Sequence, residues 1–526
     1  MMDKKFRKLI WVVCLYIGVN ITQGICETQS VKQRSDQTQT NNRPNILLFY
    51  VDDLGYGDIG INGAKGVNTP NIDALARAGL NFSDAHSTAA TCTPSRYALL
   101  TGEHGFRIKS DILEGDAPAL IAADRPTLPK MLKKAGYRSA IIGKWHLGLG
   151  KGNIDWNKEI SPGPIEAGFD YSFIIPVTGD RVPTVFLENH KVVSLDASDP
   201  ISISYDGKIG SRPLGSEKPD LLQYVADPQH SGTIINGVSR IGSMAGGESA
   251  LWVDENIPSV LNEKAKIFIQ DAGENPFFLF YSFHDIHVPR MPHPDFKGMS
   301  SMGPRGDVIA QVDWTVGEIL NELDRLGLAD NTLVLFTSDN GPVLNDGYKD
   351  GAVERLGDHK PGGPYRGGKY SAYEAGTRVP TIIRWTGTVK VGKSDALLSQ
   401  VDLYASLAEM FGVELEANEA IDSQAFIDAF LGKNKQGRTD MIEESVATIS
   451  LRIGDWKYIE QTPQDLITRS EWVATDKAID GGFKSEPQLY NLRKDPAETT
   501  NVAIENPDIF ANMKKRLDAL RTHGFR

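Results

Sequence analysis

Four strand-like runs with apolar centres each stop at charged or amide side chains, and this repeated pattern limits the fold more than any other feature of the chain. Ile46 to Val51 runs into Asp52 and Asp53. Arg138 to Gly143 leads to Lys144, Trp145 and His146, and Pro276 to Phe283 leads to His284, Asp285, Ile286 and His287. Thr332 to Ser338 leads to Asp339, Asn340 and Gly341. A continuous apolar run is the pattern of a strand buried on both faces, as in a parallel sheet covered by helices. Helical stretches separate the runs. One has Thr69 as cap, Pro70 at its first position, Ile72, Leu75 and Ala76 on one face, and Gly79 as its stop. Another carries Val316, Ile319, Leu320 and Leu323 at helical spacing. The expected class is α/β: a large mixed, mostly parallel sheet sandwiched by helices. Ligands of open α/β sheets bind beyond the carboxyl ends of the strands, so the four polar ends mark the expected active-site rim.

The rest of the chain divides around this core. Lys4, Lys5, Arg7 and Lys8 precede an apolar stretch, Leu9 to Val19, that is too short for a stable membrane span. Residues 1–26 read as a signal peptide and 27–43 as a flexible polar leader, which implies a periplasmic or secreted protein. Lipid anchoring at Cys26 is the alternative. Residues 44–390 form the expected catalytic domain and 391–526 a smaller α+β subdomain. The latter has a helix over 401–411, strands around a Gly454-Asp455 turn, a strand at 488–492 and a terminal helix over 507–521. A net charge of −12 argues against a nucleic-acid partner. Of 3 cysteines, Cys14 and Cys26 fall in the N-terminal segment, which leaves Cys92 alone in the body of the protein.

Asp52, Asp53, Asp339 and Asn340 form an oxygen-rich set suited to a hard cation such as Ca²⁺, with Mg²⁺ second. Capping and turn formation are the ordinary alternative for such residues. Adjacent strand residues point to opposite faces, so Asp52 and Asp53 converge only if the backbone turns there. Cys92 precedes an expected helix with Pro94 in its first turn, where free N–H groups depress a thiol pKa. The alternative is an inert buried cysteine.

Cys92-x-Pro94-Ser95-Arg96-x-x-Leu99-x-Thr101-Gly102 resembles the signature of the type I sulfatases, a branch of the alkaline phosphatase superfamily. Gly143-Lys144-Trp145-His146-Leu147-Gly148, Asp339-Asn340-Gly341, His287 before Val288-Pro289, and Lys369 before Tyr373-Glu374 follow in the family's order. The resemblance implies that a separate maturation enzyme oxidises Cys92 to formylglycine (3-oxoalanine). One hydroxyl of its hydrate attacks sulfur, and the second then expels inorganic sulfate. It further implies metal ligation by Asp52, Asp53, Asp339, Asn340 and the modified Cys92. Arg96 stabilises the hydrate, Lys144 and Lys369 neutralise sulfate oxygens, His146 orients or deprotonates the hydrate, and His287 protonates the leaving alcohol.

Recognition is expected in the segment from Gly168 to Glu255, which holds Thr178, Asp180, Arg181, Asn189, His190, His230 and Arg240. His284, Arg290 and the loop from Asp346 to Arg366 are further candidates for the pocket wall. The expected substrate is a sulfated carbohydrate attacked in exo fashion, with a galactose-type sugar favoured. A phosphodiesterase or phosphonate hydrolase of the same superfamily, and an inactive glycan-binding homologue, remain the alternatives.

Overall fold

A computed structural model describes residues 43–273, 275–462, 470–474 and 477–525. The expected signal peptide and residues 27–42 of the expected leader lie outside them. In chain order the core elements are β1 (Asn45–Val51), α1 (Pro70–Arg77), β2 (Leu80–Phe82), α2 (Cys92–Thr101), α3 (Leu128–Lys134), β3 (Arg138–Lys144) and β4 (Tyr171–Ile175). There follow β5 (Leu187–Glu188), β6 (Lys191–Val192), α4 (Ile257–Asp271), β7 (Phe277–Ser282), α5 (Pro304–Arg325), β8 (Thr332–Ser338), β9 (Thr381–Arg384) and β10 (Gly392–Ser394). They build a 10-stranded sheet in the order β10-β2-β9-β8-β1-β7-β3-β4-β5-β6. Its centre, β8-β1-β7-β3-β4, is parallel, and antiparallel strands flank it. The four apolar runs are therefore four neighbouring strands. β1 sits between β8 and β7, so the chain leaves it in both directions and opens a crevice at its carboxyl end.

The unbroken apolar run of β1 follows from burial on both faces. Ile46, Leu48 and Tyr50 of β1 pack with Tyr97 and Leu100 of α2 and Met131 of α3. Leu47, Phe49 and Val51 pack on the other face with Ile72 and Leu75 of α1, Leu261 of α4 and Val316 of α5. A polar residue on either face of β1 would leave an unpaired group in the core.

Beyond the large sheet lie α6 (Asp402–Phe411), β11 (Asp440–Glu444), β12 (Ile449–Ile453), β13 (Trp456–Ile459), β14 (Gln488–Asn491) and α7 (Pro507–His523). The four strands pair antiparallel in sequence order. Met513, Leu517 and Leu520 of α7 cover Ile442, Leu451, Tyr458 and Leu489. This small sheet also braces the segment that precedes α2. The Ala90 N–H donates to the Glu444 carbonyl at 2.7 Å, and the Glu444 N–H donates to the Thr88 carbonyl at 3.1 Å. No helix among the described residues is long and apolar enough to cross a membrane.

Gly143, beside Lys144, has φ +113°, and a Cβ there would lie 1.7 Å from the Ser282 carbonyl oxygen of β7. The strand can pass that carbonyl only without a side chain. Gly143→Ala is expected to destabilise the protein by more than about 2 kcal/mol, measured as a lowered midpoint in urea unfolding.

Candidate active site

Asp52 and Asp53 do converge, because Asp53 has a left-handed backbone with φ 63° just past the end of β1. The carboxylates of Asp52, Asp53 and Asp339, all fully buried, come within 4.8 Å of one another. Three cationic side chains face them. Lys144 Nζ lies 2.6 Å from Asp52, Lys369 Nζ 3.0 Å from Asp53, and Arg96 donates to Asp339 at 2.6 and 3.0 Å. Asn340 Nδ2 donates to Asp53 at 2.7 Å. Burial, and then the charge of Asp339, push the Asp52 carboxyl well above its usual range. Two buried oxygens, Asp52 Oδ1 and Asn340 Oδ1, find no hydrogen-bond partner. Crowded carboxylates with orphaned oxygens are what a hard cation relieves, so the donor set fits such an ion.

Cys92 is the first residue of α2 and is buried. Its pKa departs from the expected depression. Burial pushes the thiol up, and the charges of Lys144 and Lys369 only partly offset this. The helix start does not make it an activated thiolate. Cys92 Sγ lies 3.3 Å from His146 Nδ1, and His146 Nε2 lies 3.1 Å from the Leu113 carbonyl. A carbonyl only accepts, so Nε2 carries the proton and Nδ1 accepts from the thiol. Burial, then Lys144 and Arg181, hold His146 well below the usual imidazole range. A neutral ring with a free lone pair beside position 92 can take a proton from a hydroxyl held there.

His287 is neutral for similar reasons. Its Nδ1–H donates to the Val288 carbonyl at 2.8 Å, which leaves Nε2 unprotonated. Burial and the Lys369 ammonium keep it well below the usual range. Lys369 sits between Asp53 and Asp346, 2.9 Å from the latter; despite burial, Asp346 and Asp53 push its pKa well above the ordinary value. The proton of this pair therefore rests on Lys369, and His287 gains one only when an anion enters beside it.

Cys92, His146, His287 and Lys369 line one cavity of about 250 Å³ with Ile112, Glu114, Asp180, Arg181, Gln229, His230, Ile241, Asp346 and Tyr370. Asp52, Asp53, Asp339, Asn340, Lys144 and Arg96 are not among the lining residues. Arg96 also donates to Ser282 Oγ and the Lys144 carbonyl, which makes it an anchor of the strand ends.

The recognition candidates divide. Asp180 and Arg181 line the cavity, whereas the Thr178 hydroxyl is spent on Asp180. Arg290 is fully buried and grips Asp350 at 2.7 Å and the Leu344, Val343 and Ile286 carbonyls. It holds the 343–350 loop from behind. Arg240 is likewise paired with buried Asp254 at 2.7 Å, and His190 with Glu166 at 2.9 Å, both outside the cavity. His284 Nδ1 lies 3.3 Å from Asp285, its Nε2 has no partner, and it is not among the lining residues. Ile112, Glu114, Gln229, Ile241 and Tyr370 were not singled out in the sequence. They lie in irregular segments without periodicity, and only proximity in the fold reveals them.

A sulfatase family model matches residues 44–413. The chain is 48% identical over 494 residues to an N-acetylgalactosamine-6-O-sulfatase of Bacteroides thetaiotaomicron, covering 93% of this chain and 96% of that protein. It is 31% identical to rat steryl-sulfatase over 90% of this chain and 88% of the relative. Among solved structures, a Bacteroides thetaiotaomicron sulfatase described in connection with the metabolism of multiple glycosaminoglycans superposes with a TM-score of 0.89. The two are 47% identical, over 91% of this chain and all of that one. A Pseudoalteromonas sulfatase superposes with a TM-score of 0.68 at 26% identity, over 94% of each chain. The matched family model, the long relatives and the cluster of carboxylates, lysines and histidines around Cys92 agree: the chain belongs to the sulfatase family and is a sulfuric ester hydrolase.

Proposed function

We propose that this enzyme removes the 6-O-sulfate of an N-acetylgalactosamine-type sugar, acting on exposed terminal residues, through a formylglycine made from Cys92. The observation that carries the sugar is the 48% identity, over 96% of its length, to a protein named for that reaction. The cavity supports it: its wall mixes Arg181, His230, Gln229, Glu114 and Asp346, a hydrogen-bonding surface suited to a polyol.

The residues take these roles. Asp52, Asp53, Asp339, Asn340 and position 92 would hold one Ca²⁺, Mg²⁺ being the second choice. The ion supplies positive charge that polarises the sulfate oxygens and acidifies the nucleophile. His146 Nδ1 accepts the proton of the attacking hydroxyl at position 92. Lys144 and Lys369 balance charge on the sulfuryl oxygens. His287, charged once the sulfate anion lies beside it, or Lys369 itself, delivers a proton to the departing sugar oxygen. With all four ionised, the carboxylates of Asp52, Asp53, Asp339 and Asp346 outnumber the cations Arg96, Lys144 and Lys369 by one. A divalent ion reverses that sign by one charge, which suits a singly charged sulfate ester better than a doubly charged phosphate. A basic N-terminus followed by a short apolar run supports export, and maturation of Cys92 requires a separate oxidising enzyme as partner.

Four outcomes test this. Mass spectrometry of the peptide holding Cys92 from the native host should show a loss of about 18 Da, the change from –CH₂SH to –CHO. Cys92→Ala should abolish turnover with a small change in unfolding midpoint; an unmodified thiol in active enzyme refutes the mechanism. Chelation with EDTA should remove activity and lower the melting temperature, both restored by Ca²⁺ more fully than by Mg²⁺. On a panel of sulfated sugars, N-acetylgalactosamine 6-sulfate should give the highest kcat/KM, and matched phosphate esters should be slower by at least about 100-fold. Turnover of aryl sulfates alone overturns the sugar assignment.

A further inference from the structure

His230 is a buried histidine on the cavity wall with both ring nitrogens facing carboxylates. Nδ1 lies 2.7 Å from Asp227 and Nε2 3.3 Å from Asp180. Carboxylates only accept, so both nitrogens must donate and the ring is an imidazolium. The loops are shaped around it. Tyr348 meets the ring edge-on at 4.9 Å. Gly347, at φ +95°, passes so close that a Cβ there would lie 2.0 Å from Nδ1. The Gly347 carbonyl accepts from the Asp227 N–H at 2.9 Å, which ties this loop to the one carrying His230.

The consequence falls on Asp180. Its Oδ1 accepts from the Thr178 hydroxyl and from Arg181 Nη1 at 2.9 Å, and its Oδ2 accepts from Arg181 Nη1 at 3.0 Å and from His230. A carboxylate offers about four lone-pair sites, and here four contacts use them. Asp180 lines the cavity but has nothing left for a sugar hydroxyl. Arg181 differs: only Nη1 is engaged in the hydrogen bonds of this cluster, and its Nε and Nη2 donors are not among the buried unpaired atoms. The cluster of Arg181, His230, Asp180 and Asp227 is electrically neutral, so it is not built to attract a second anion.

We propose that His230 is a positioning residue for sugar recognition: clamped between Asp227 and Asp180, it locks Asp180 so that the Arg181 guanidinium is held toward a neutral oxygen acceptor of the sugar, a ring hydroxyl or the acetamido carbonyl. This rests on the reading of the substrate as a sulfated sugar and adds which group reads the ring. Removing the His230 charge frees Asp180 to swing, and Arg181 with it, so ring binding weakens while the chemistry at sulfur continues. The charged or titratable groups facing His230 are Asp180 and Arg181 from one loop, Asp227 from its own segment and Tyr348 from the third. The two carboxylates outweigh burial and raise its pKa to about 9, so the clamp is intact below that pH and released above it.

The test compares steady-state kinetics of the matured enzyme on N-acetylgalactosamine 6-sulfate, galactose 6-sulfate and a small aryl sulfate. For His230→Gln, and for Gly347→Ala, which displaces the ring without removing it, KM for the sulfated sugars should rise about 10-fold more than KM for the aryl sulfate. Arg181→Ala should widen that ratio to about 10- to 100-fold, the range of one charged hydrogen bond. KM of the wild-type enzyme for the sugar should rise as pH passes about 9, and the His230→Gln profile should be flat there. A loss by Arg181→Ala confined to the acetamido sugar identifies the carbonyl as the acceptor; an equal loss on both sugars identifies a hydroxyl. Equal effects of His230→Gln on sugar and aryl sulfate, or a fall in kcat alone, overturn the positioning role while leaving the sugar assignment intact. A wild-type enzyme that turns over only the aryl sulfate overturns both.

Discussion

Three carboxylates buried at the ends of adjacent parallel strands govern this structure. Asp52 and Asp53 end β1, Asp339 ends β8, and none reaches solvent. Like charges about 4 Å apart repel by roughly 4 kcal/mol per pair at an effective dielectric of 20, so the cluster survives only with partners. The fold supplies them from different parts of the chain: Lys144 from β3, Arg96 from α2 and Lys369 from a distant loop. Removing one partner from such a buried pair costs about 3–5 kcal/mol. The positions of β1, β3, β8 and α2 are thus tied together by the buried charges around Cys92.

Cys92 is placed by the same arrangement. Its helix starts where Arg96 can reach back to Asp339, and the Thr88–Ala90 segment before it is pinned to Glu444 of the small sheet. The C-terminal sheet is in turn anchored by buried charge. Lys457 lies 3.0 Å from Glu374 and 2.9 Å from Glu443. Arg452 and Arg378 both reach Asp84. The thiol is buried, protonated and hydrogen-bonded to a neutral His146, a poor nucleophile as encoded. Burial also shields it, because an exposed thiolate would be open to oxidation.

The sheet and the inner site were legible because both rest on local signals. A strand buried on two faces is apolar through its centre, so β1, β3, β7 and β8 announce themselves, and their polar ends point to Asp52, Asp53, Lys144, His287, Asp339 and Asn340. The rim was not legible. Arg290 and Asp180 look alike in sequence as charged loop residues near the site, yet Arg290 is spent on four partners behind the loop and Asp180 is saturated at the wall. Whether a charged side chain is a tool or a fastener depends on what stands opposite it, and those partners lie up to 60 positions away.

The sequence by itself determined the α/β core and the family and singled out Cys92 and the Asp52, Asp53, Asp339 and Asn340 set, since each is written in contiguous residues or short spacings. Tertiary structure alone decided the convergence of Asp52 with Asp53 through a left-handed turn, the neutral state of His146 and His287, and the imidazolium of His230. Those depend on burial and on the distance to charges from other loops. Neither quantity exists until the chain is folded.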